Sequence, residues 1–384
     1  HLRGEQAPGI PFSTERFVLA AIDLAPADTA TLDPTIVSAL ITSDGGPQSH
    51  TAILARQLGI PAVVAAKGVE SIEPGTVVYV DGAAGTVTSE FGDRERELSA
   101  TWYELVKNPL TYSGGGAELS DGTRVPLLAN VGGEKDAALA AEANADGVGL
   151  FRTEFCFLDR DEEPSIEEQA EAYAGVLRHF PGRKVVIRTL DAGADKPLPF
   201  LTDADEPNPA LGVRAYRTSW EKRSVLENQL KAIAKASRET SAEPWVMAPM
   251  ISTLEDTEDF VSMTRSAGVE RAGIMVETPS AALTSDHLMG VADFASIGTN
   301  DLTQYTMAAD RMLGSLAQLN YPWQPAVLAL VGATATGARV AGGDPEAFGD
   351  GANKPVGVCG EAAGDPALAV VLVGLGVNSL SMTP

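Results

Sequence analysis

Short apolar runs, glycine turns and one helical repeat alternate along the first ninety residues. Residues 35 to 42, TIVSALIT, form a β-branched apolar run typical of a strand, and PAVVAA and TVVYVDGAAGTV add further short strands. In SHTAILARQLG, Ile53, Leu54 and Leu58 recur at helical spacing. The pattern predicts a small α/β domain over residues 1–90.

A charged segment and a break follow this domain. SEFGDRERELSATWYELVKN has the composition of a solvated helix, and PLTYSGGG interrupts it with proline and glycine. We therefore predict a helical linker over residues 91–114, with a hinge at NPLTYSGGG.

Eight short apolar runs separated by longer helical segments fill the rest of the chain. Repeated strand and helix units of this kind are typical of a (β/α)₈ TIM barrel, in which the strand C-termini carry the functional residues. We predict an α/β fold with such a barrel over residues 115–384. The eight runs are VPLLANV, GVGLFRTE, KVVIRTLD, WVMAPMI, AGIMVETP, DFASIGTNDL, PVGVCGE and NSLSM.

Composition and charge limit the kinds of partner that this protein is expected to bind. The 384 residues carry a formal charge of −24, which disfavours nucleic acid and anionic membranes as partners. No run of about 18 apolar residues is present to insert into a membrane. Two cysteines are too few for a disulfide framework, and no charged stub with an apolar run opens the chain, so we expect a soluble cytoplasmic protein.

Three arginines lie at or just after predicted strand ends. They are Arg152 in GLFRTEF, Arg188 in VIRTLD and Arg311 in AADR. A guanidinium group can bind the oxygens of a phosphate or a carboxylate in bidentate fashion, whereas a single surface arginine more often forms a salt bridge. Their shared position at strand ends favours one site for a small anionic substrate.

Two carboxylates and a thiol follow other predicted strands. Glu277 in MVETP and Asp301 in GTNDL end neighbouring strands, as is typical of a magnesium site, and Asn300 adds a neutral polar group. Cys359 in VCGEAAGD follows a strand, and a free thiol with a pKa of about 8.5 is protonated near neutrality and can donate its proton. Cys156, between two phenylalanines, is better explained as a core residue.

His50 stands behind a glycine pair at a predicted helix start. A neutral imidazole, with a pKa of about 6.5, is nucleophilic enough to accept a phosphoryl group. The unpaired N–H groups at the helix start would stabilise the added negative charge, and Gly45 and Gly46 leave room for an approaching site. An isolated histidine near a helix start is more often an ordinary surface residue, but the surrounding motif favours phosphorylation.

With these residues the chain resembles Enzyme I of the phosphoenolpyruvate-dependent sugar phosphotransferase system, the phosphoenolpyruvate-protein phosphotransferase family. The resemblance covers nearly the whole chain through seven motifs in order. They are SHTAILARQLGIPAVV, GVGLFRTEFCFLDRDEEPS, IRTLDAGADKPLPF, NPALGVRAYR, MVETPSAA, SIGTNDLTQYTMAADR and GVCGEAAGDP.

The resemblance implies a reaction and a role for each candidate residue. His50 would take the phosphoryl group of phosphoenolpyruvate and pass it to a small histidine-containing phosphocarrier protein, which starts sugar uptake, and pyruvate would be released. The resemblance further implies a homodimer. It implies that Glu277 and Asp301 are magnesium ligands and that Cys359 is the acid that protonates enolpyruvate. It implies that the substrate is bound by Arg152, Arg188, Asn300 and Arg311.

The sequence departs from the family pattern in three respects. Family members commonly read Gly-Gly-Arg-Thr before the Ser-His pair, where this chain has Gly46, Pro47 and Gln48. The family's helical subdomain for docking the phosphocarrier, together with the first strand of the phosphohistidine domain, has no counterpart before His1. After the eighth barrel strand, no sequence remains before Pro384 for the last outer helix.

Two other functions remain open at this point. Pyruvate phosphate dikinase and phosphoenolpyruvate synthase share the histidine domain and the barrel, but they need a nucleotide-binding domain, and no glycine-rich nucleotide loop is found in this sequence. A non-catalytic module that senses phosphoenolpyruvate is the second alternative. The presence of His50, Cys359 and both metal carboxylates argues against that module.

Overall fold

The computed structural model of the chain divides into two compact units. One unit comprises His1–Thr111 with Asp310–Gln318, and the other comprises Tyr112–Ala309 with Leu319–Pro384. The structure describes the following residues: 13, 15–22, 24, 32–33, 36–44, 51–52, 55, 59–82, 84–107, 116–158, 160–193, 198–202, 206–240, 242–311, 313–343 and 354–383.

The N-terminal unit contains a small parallel sheet, a hairpin and a helix. Strand β2 pairs with β1 on one side and with β3 on the other, and β4 pairs with β5 in antiparallel fashion. Residues such as Leu19, Leu40 and Ile60 form its core. The predicted strand at TIVSALIT and the predicted charged helix that follows this small domain are both confirmed. The elements are β1 (Phe17–Ala21), β2 (Val37–Thr42), β3 (Ala62–Val63), a 3₁₀ turn (Val69–Ser71), β4 (Tyr79–Asp81), β5 (Thr86–Thr88) and α1 (Asp93–Lys107).

The second unit is a closed barrel of eight parallel strands, each formed by one of the eight predicted runs. Neighbouring strands pair in chain order and the last pairs with the first, so the predicted TIM barrel is confirmed. A short hairpin, β6 (Ala117–Glu118) and β7 (Arg124–Val125), precedes it. The barrel strands are β8 (Leu127–Val131), β9 (Val148–Arg152), β10 (Val185–Arg188), β11 (Trp245–Ala248), β12 (Arg271–Val276), β13 (Ala295–Ile297), β14 (Val356–Val358) and β15 (Ser379–Met382).

Helices cover the outside of the barrel and shield the strands from water. Strands buried on both faces need continuous apolar sequence, and all four residues of β10 are buried, including its terminal arginine. Each helix instead buries one stripe, as Leu226, Leu230 and Ile233 do on α4. The helices are α2 (Glu134–Glu142), α3 (Ile166–Leu177), α4 (Arg223–Thr240), α5 (Leu254–Ser266), α6 (Pro279–Leu283), α7 (Ser285–Val291), α8 (Thr299–Met307), α9 (Pro325–Ala341) and α10 (Pro366–Gly374).

Because all eight strands run parallel, the residues that follow them meet at one mouth of the barrel. Short 3₁₀ turns lie in the connections between these strands and helices. They are Thr153–Cys156, Pro209–Leu211, Ala215–Trp220, Gly314–Leu319 and Glu361–Gly364. In the described part of the chain, none of these helices combines the length and the apolar character that crossing a membrane requires.

Candidate active site

Two of the predicted arginines are the last residues of neighbouring strands. Arg152 ends β9 and Arg188 ends β10, and the two residues are paired in the strand register. Their side chains differ in environment, since Arg152 is exposed and Arg188 is only 6% exposed. The predicted placement of both residues at strand ends is confirmed.

Three carboxylates surround the buried Arg188 guanidinium. Its Nη2 atom lies 2.8 Å from Glu154 Oε1, and its Nη1 atom lies 3.3 Å from Asp191 Oδ2 and 4.0 Å from Glu277 Oε1. Burial by itself would lower the pKa of Arg188, but these negative charges outweigh it and raise the pKa further above the usual value. Arg188 is therefore a fixed, permanently charged group.

The sequence pattern did not identify Arg214, which is the most deeply buried cation of this group. It is 1% exposed and binds Asp191 through one nitrogen, Nη2, which donates to both carboxylate oxygens at 2.9 Å and 3.1 Å. Its Nη1 atom donates to Asp301 Oδ1 at 3.2 Å. Arg214 follows no strand end, so the only signal that could have pointed to it is its place in the NPALGVRAYR motif.

Glu277 follows β12 directly and is completely buried. Its Oε2 atom accepts a hydrogen bond from the Met250 N–H at 2.8 Å, whereas its Oε1 atom has no hydrogen-bond partner among the described residues. Burial, together with the negative charges of Asp301 and Asp191, raises the pKa of Glu277 to about 8, even though Arg188 and Arg214 act to lower it. A further cation beside Glu277 would favour its ionised form.

The backbone near Glu277 is shaped for this contact. Met250 has a φ of 60°, in the left-handed region that residues other than glycine seldom adopt. At Gly298, an added Cβ would lie 2.7 Å from both Cγ and Oε1 of Glu277. The unusual backbone at Met250 and the missing side chain at Gly298 therefore fix and accommodate the same carboxylate.

Asp301 and Asn300 lie in the first turn of α8, which begins just after β13. Asp301 is 5% exposed and accepts from Arg214, while Asn300 Oδ1 accepts from the Glu361 N–H at 3.3 Å. Strand β13 pairs with β12 on one side and β14 on the other. The structure accordingly brings Asp301 and Asn300 to the part of the mouth where Glu277 and Cys359 lie.

Cys359 follows β14 and points into the apolar interior of the barrel. It is 3% exposed, its Sγ atom lies 3.5 Å from the Ile297 carbonyl oxygen, and it packs in a cluster that includes Met247 and Met275. Burial raises the pKa of the thiol to about 11. The thiol is therefore protonated at neutral pH, as its predicted chemistry requires.

The two remaining predicted site residues are His50 and Arg311. His50 lies outside the described residues, although Thr51, Ala52 and Ala55 beyond it are helical and buried. Arg311 was predicted at a strand end, and this placement is wrong. It comes after α8, in the segment Asp310–Gln318 that groups with the N-terminal unit, because a polar residue after a helix looks the same in sequence as one after a strand.

The donor set at Glu277 and Asp301 fits a magnesium ion. Within the described ranges, no three side chains of His, Cys, Asp or Glu form a group able to hold a metal. Magnesium, however, is commonly bound by one or two carboxylates together with substrate oxygens and water. The buried Glu277 Oε1 atom without a hydrogen-bond partner is the feature of this set that best suits a hard cation.

Comparisons with known proteins agree with this architecture. The family model of the PEP-utilising enzyme, PEP-binding domain, matches residues 112–384, and that of the PEP-utilising enzyme, mobile domain, matches residues 13–85. An HpcH/HpaI aldolase from Desulfitobacterium hafniense is similar in structure, with a TM-score of 0.38 and 14% identity. The match covers 67% of this chain and 84% of the aldolase chain, and the likeness is too distant to bear on function.

Three relatives carry the name phosphoenolpyruvate-protein phosphotransferase. The protein of Streptomyces coelicolor is 51% identical, over 99% of this chain and 67% of its own length. That of Haloferax volcanii is 41% identical, over 96% and 65%, and that of Bacillus subtilis is 38% identical, over 100% and 68%. The chain therefore spans about two thirds of the length of these relatives.

The second unit is a parallel barrel with arginines and carboxylates at its mouth, and the two domain models match both units of the chain. The chain is therefore a PEP-utilising enzyme. Within that class, the identities and coverage show that the chain belongs to the phosphoenolpyruvate-protein phosphotransferase family.

Proposed function

We propose that this chain transfers the phosphoryl group of phosphoenolpyruvate, bound at the barrel mouth, to His50 and then to a histidine of a small phosphocarrier protein. The observation that carries the proposal is the convergence of Arg152, Arg188, Glu277 and Cys359 at the ends of four barrel strands. The names of the relatives support phosphoenolpyruvate as the substrate.

Substrate binding falls to the guanidinium groups. Arg152 is exposed at the mouth, where it can reach phosphoryl or carboxylate oxygens, and the buried Arg188 ends the neighbouring strand. The Nε atom of Arg188 is buried and makes no hydrogen bond to any described residue, which leaves a donor for a substrate oxygen. Asn300 and Arg311 are proposed to complete the substrate contacts on the strength of the family resemblance alone.

Glu277 and Asp301 would hold a magnesium ion. When bound, the ion would neutralise charge on the transferring phosphoryl group. The same positive charge would favour the ionised form of Glu277, whose pKa is otherwise raised to about 8 by burial. Arg214 donates hydrogen bonds to Asp301 and to Asp191. It would thereby keep the Asp301 carboxylate oriented toward the magnesium ion.

Phosphoryl transfer breaks the bond between phosphorus and the enol oxygen and forms a bond between phosphorus and a ring nitrogen of His50. The electron pair stays with the enolpyruvate, whose methylene carbon then takes a proton to become the methyl group of pyruvate. Cys359 would donate that proton and regain one from water. A buried thiol with a pKa of about 11 is suited to donating a proton rather than to acting as a nucleophile.

The remaining parts of the proposal concern the whole protein. Transfer to a histidine-containing phosphocarrier, the start of sugar uptake and a homodimeric parent follow the resemblance to Enzyme I. Two cysteines that are both free are consistent with the reducing conditions of the cytoplasm.

The test is incubation of the full-length parent protein with phosphoenolpyruvate labelled in its phosphoryl group, with magnesium and without nucleotide, followed by mapping of acid-labile phosphate. We expect label on His50 and none in His50→Ala. Label that appears only with ATP and phosphate would instead indicate a dikinase. The absence of label under both conditions would favour the phosphoenolpyruvate-sensing module.

A further inference from the structure

A glutamine lies buried on an outer helix at a position where helices of a barrel usually place apolar residues. Gln229 is 1% exposed on α4, among buried residues such as Leu226 and Leu230. A buried amide that lacked partners would destabilise the fold, so its hydrogen bonds explain why it can be there.

The hydrogen bonds of Gln229 join the ends of strands β9 and β10. Its Oε1 atom accepts from the Leu190 N–H at 2.9 Å, and its Nε2 atom donates to Thr153 Oγ1 at 3.0 Å. The Thr153 hydroxyl in turn donates to the carbonyl oxygen of Arg188 at 2.9 Å. Because the Leu190 N–H can only donate, it fixes which end of the amide faces which partner.

This contact begins where the pairing of the two strands ends. The strand register stops at the pair of Arg188 with Arg152, and the next residues along the two strands are Thr189 and Thr153. Beyond that pair, Gln229 and Thr153 supply hydrogen bonds between the two chain segments, in addition to those that Glu154 accepts from Arg188 and from the Asp191 N–H. The two segments carry the arginines assigned to phosphoenolpyruvate, and Asp191 follows Leu190 directly.

The other side of the network is anchored in α3. Gln229 Nε2 also donates to Tyr173 Oη at 3.1 Å, and the Tyr173 hydroxyl donates to Gln169 Oε1 at 3.0 Å. Gln169 Nε2 donates to the Pro164 carbonyl oxygen at 2.9 Å. A chain of buried hydrogen bonds, each with a defined donor and acceptor, thus connects Gln229 to α3.

We propose that Gln229 is a positioning residue for the binding of phosphoenolpyruvate. It holds the backbone from which Arg152 and Arg188 project and thereby positions these two arginines. This inference rests on the proposed function, since it assumes that the two arginines bind that substrate. The hydrogen bonds of Gln229 go to Thr153, Leu190 and Tyr173 and to neither arginine side chain, so it would act through Thr153 and Leu190.

The experiment measures the affinity for phosphoenolpyruvate by calorimetry in a His50→Ala background of the full-length protein, where no transfer takes place. Gln229→Met keeps an unbranched side chain of similar size and removes every hydrogen bond. We expect the affinity to fall by about 10- to 100-fold, the usual range for losing an outer support of a site. Loss of Gln229 in an Arg188→Ala background should have a smaller effect than in the parent, because one of the two arginines that it positions is then absent.

Gln169→Met is the matched control. Gln169 is also a fully buried glutamine of an outer helix and bonds to the same tyrosine, but it contacts neither strand end. Its replacement should lower the unfolding midpoint in urea and reduce the affinity much less than Gln229→Met does, because Gln229 keeps its own bonds to Thr153 and Leu190. Should Gln229→Met fail to fold, Thr153→Val and Thr153→Ser test the same link, and only the serine variant, which keeps a hydroxyl, should retain affinity.

Equal affinity in the His50→Ala parent and its Gln229→Met derivative would overturn the inference and leave the proposed function standing. The inference would fail in the same way if Gln229→Met and Arg188→Ala reduced affinity additively. A His50→Ala parent that does not bind phosphoenolpyruvate at all would overturn the proposed function and this inference with it.

Discussion

Burial sets the protonation of two side chains at the barrel mouth. Glu277 and Cys359 are 0% and 3% exposed, and burial is the main cause that raises the pKa of the first to about 8 and of the second to about 11. A low-dielectric surrounding disfavours the charged form of either group. Burial therefore favours the protonated form of both side chains, and a further cation beside Glu277 would favour its ionised form.

The raised pKa of Cys359 predicts a pH dependence of stability. From pH 9.0, the usual pKa of the thiol, up to about 11, the unfolded chain has lost this proton while the folded protein keeps it. The free energy of unfolding must then fall as pH rises, so this contribution is complete below pH 9.0 and is lost as pH passes about 11.

Urea unfolding of the wild type and Cys359→Ala across this pH range measures the effect. We expect the stability difference between the two proteins to shrink as pH rises. Cys156, whose pKa is raised to about 11 as well, is present in both proteins and cancels in the comparison. A difference that stays constant with pH would contradict the prediction.

The site also depends on how closely neighbouring strand ends approach. Gly298 ends the turn between β13 and α8, and it faces Glu277 at the end of β12. Its φ of −88° is open to any residue, so the requirement for glycine there is one of space rather than of backbone conformation.

Gly298→Ala is expected to displace the Glu277 carboxylate, because the new Cβ would lie 2.7 Å from Oε1. Overpacking of this kind costs about 1–3 kcal/mol of unfolding free energy. We also expect a loss of kcat/KM for phosphoenolpyruvate, measured at saturating magnesium.

Gly290→Ala provides the control at the element scale. Gly290 lies on α7 and has open space where a Cβ would be placed. This substitution should leave kcat/KM unchanged and stabilise the helix by about 0.5–1 kcal/mol. Equal effects of the two substitutions on kcat/KM would show that the contact with Glu277 is unimportant.

The whole molecule consists of two units that each have their own core. The cluster around Leu40 belongs to the N-terminal unit, and a much larger cluster forms between the barrel strands and their outer helices. Units with separate cores commonly unfold in separate cooperative transitions.

Phosphoenolpyruvate with magnesium should stabilise only the barrel. A ligand present at about 100 times its Kd adds about 2.7 kcal/mol to the stability of the unit that binds it. We expect scanning calorimetry to show two transitions, of which the ligand raises the one belonging to the barrel, and Glu277→Gln to weaken this shift. An equal rise of both transitions would contradict the assignment of the substrate to the barrel.

The sequence was most informative where function follows directly from a strand. Arg152, Arg188, Glu277 and Cys359 lie at or directly after strand ends, so an apolar run closed by a polar residue was sufficient to predict their positions, while their roles stay predictions. The same rule misplaced Arg311, because a loop after a helix also carries polar residues. The interpretation of His50 stays a prediction, since it falls outside the described residues.

By itself the sequence determined the eight strands, the barrel and the family, because local apolar runs and contiguous motifs encode them. Tertiary structure alone decided which charges pair. Arg214 meets Asp301 across 87 positions, and Gln229 meets Thr153 across 76, distances at which no local pattern operates. Burial likewise belongs to the fold, so the raised pKa values of Glu277 and Cys359 exist only once the barrel has closed around them.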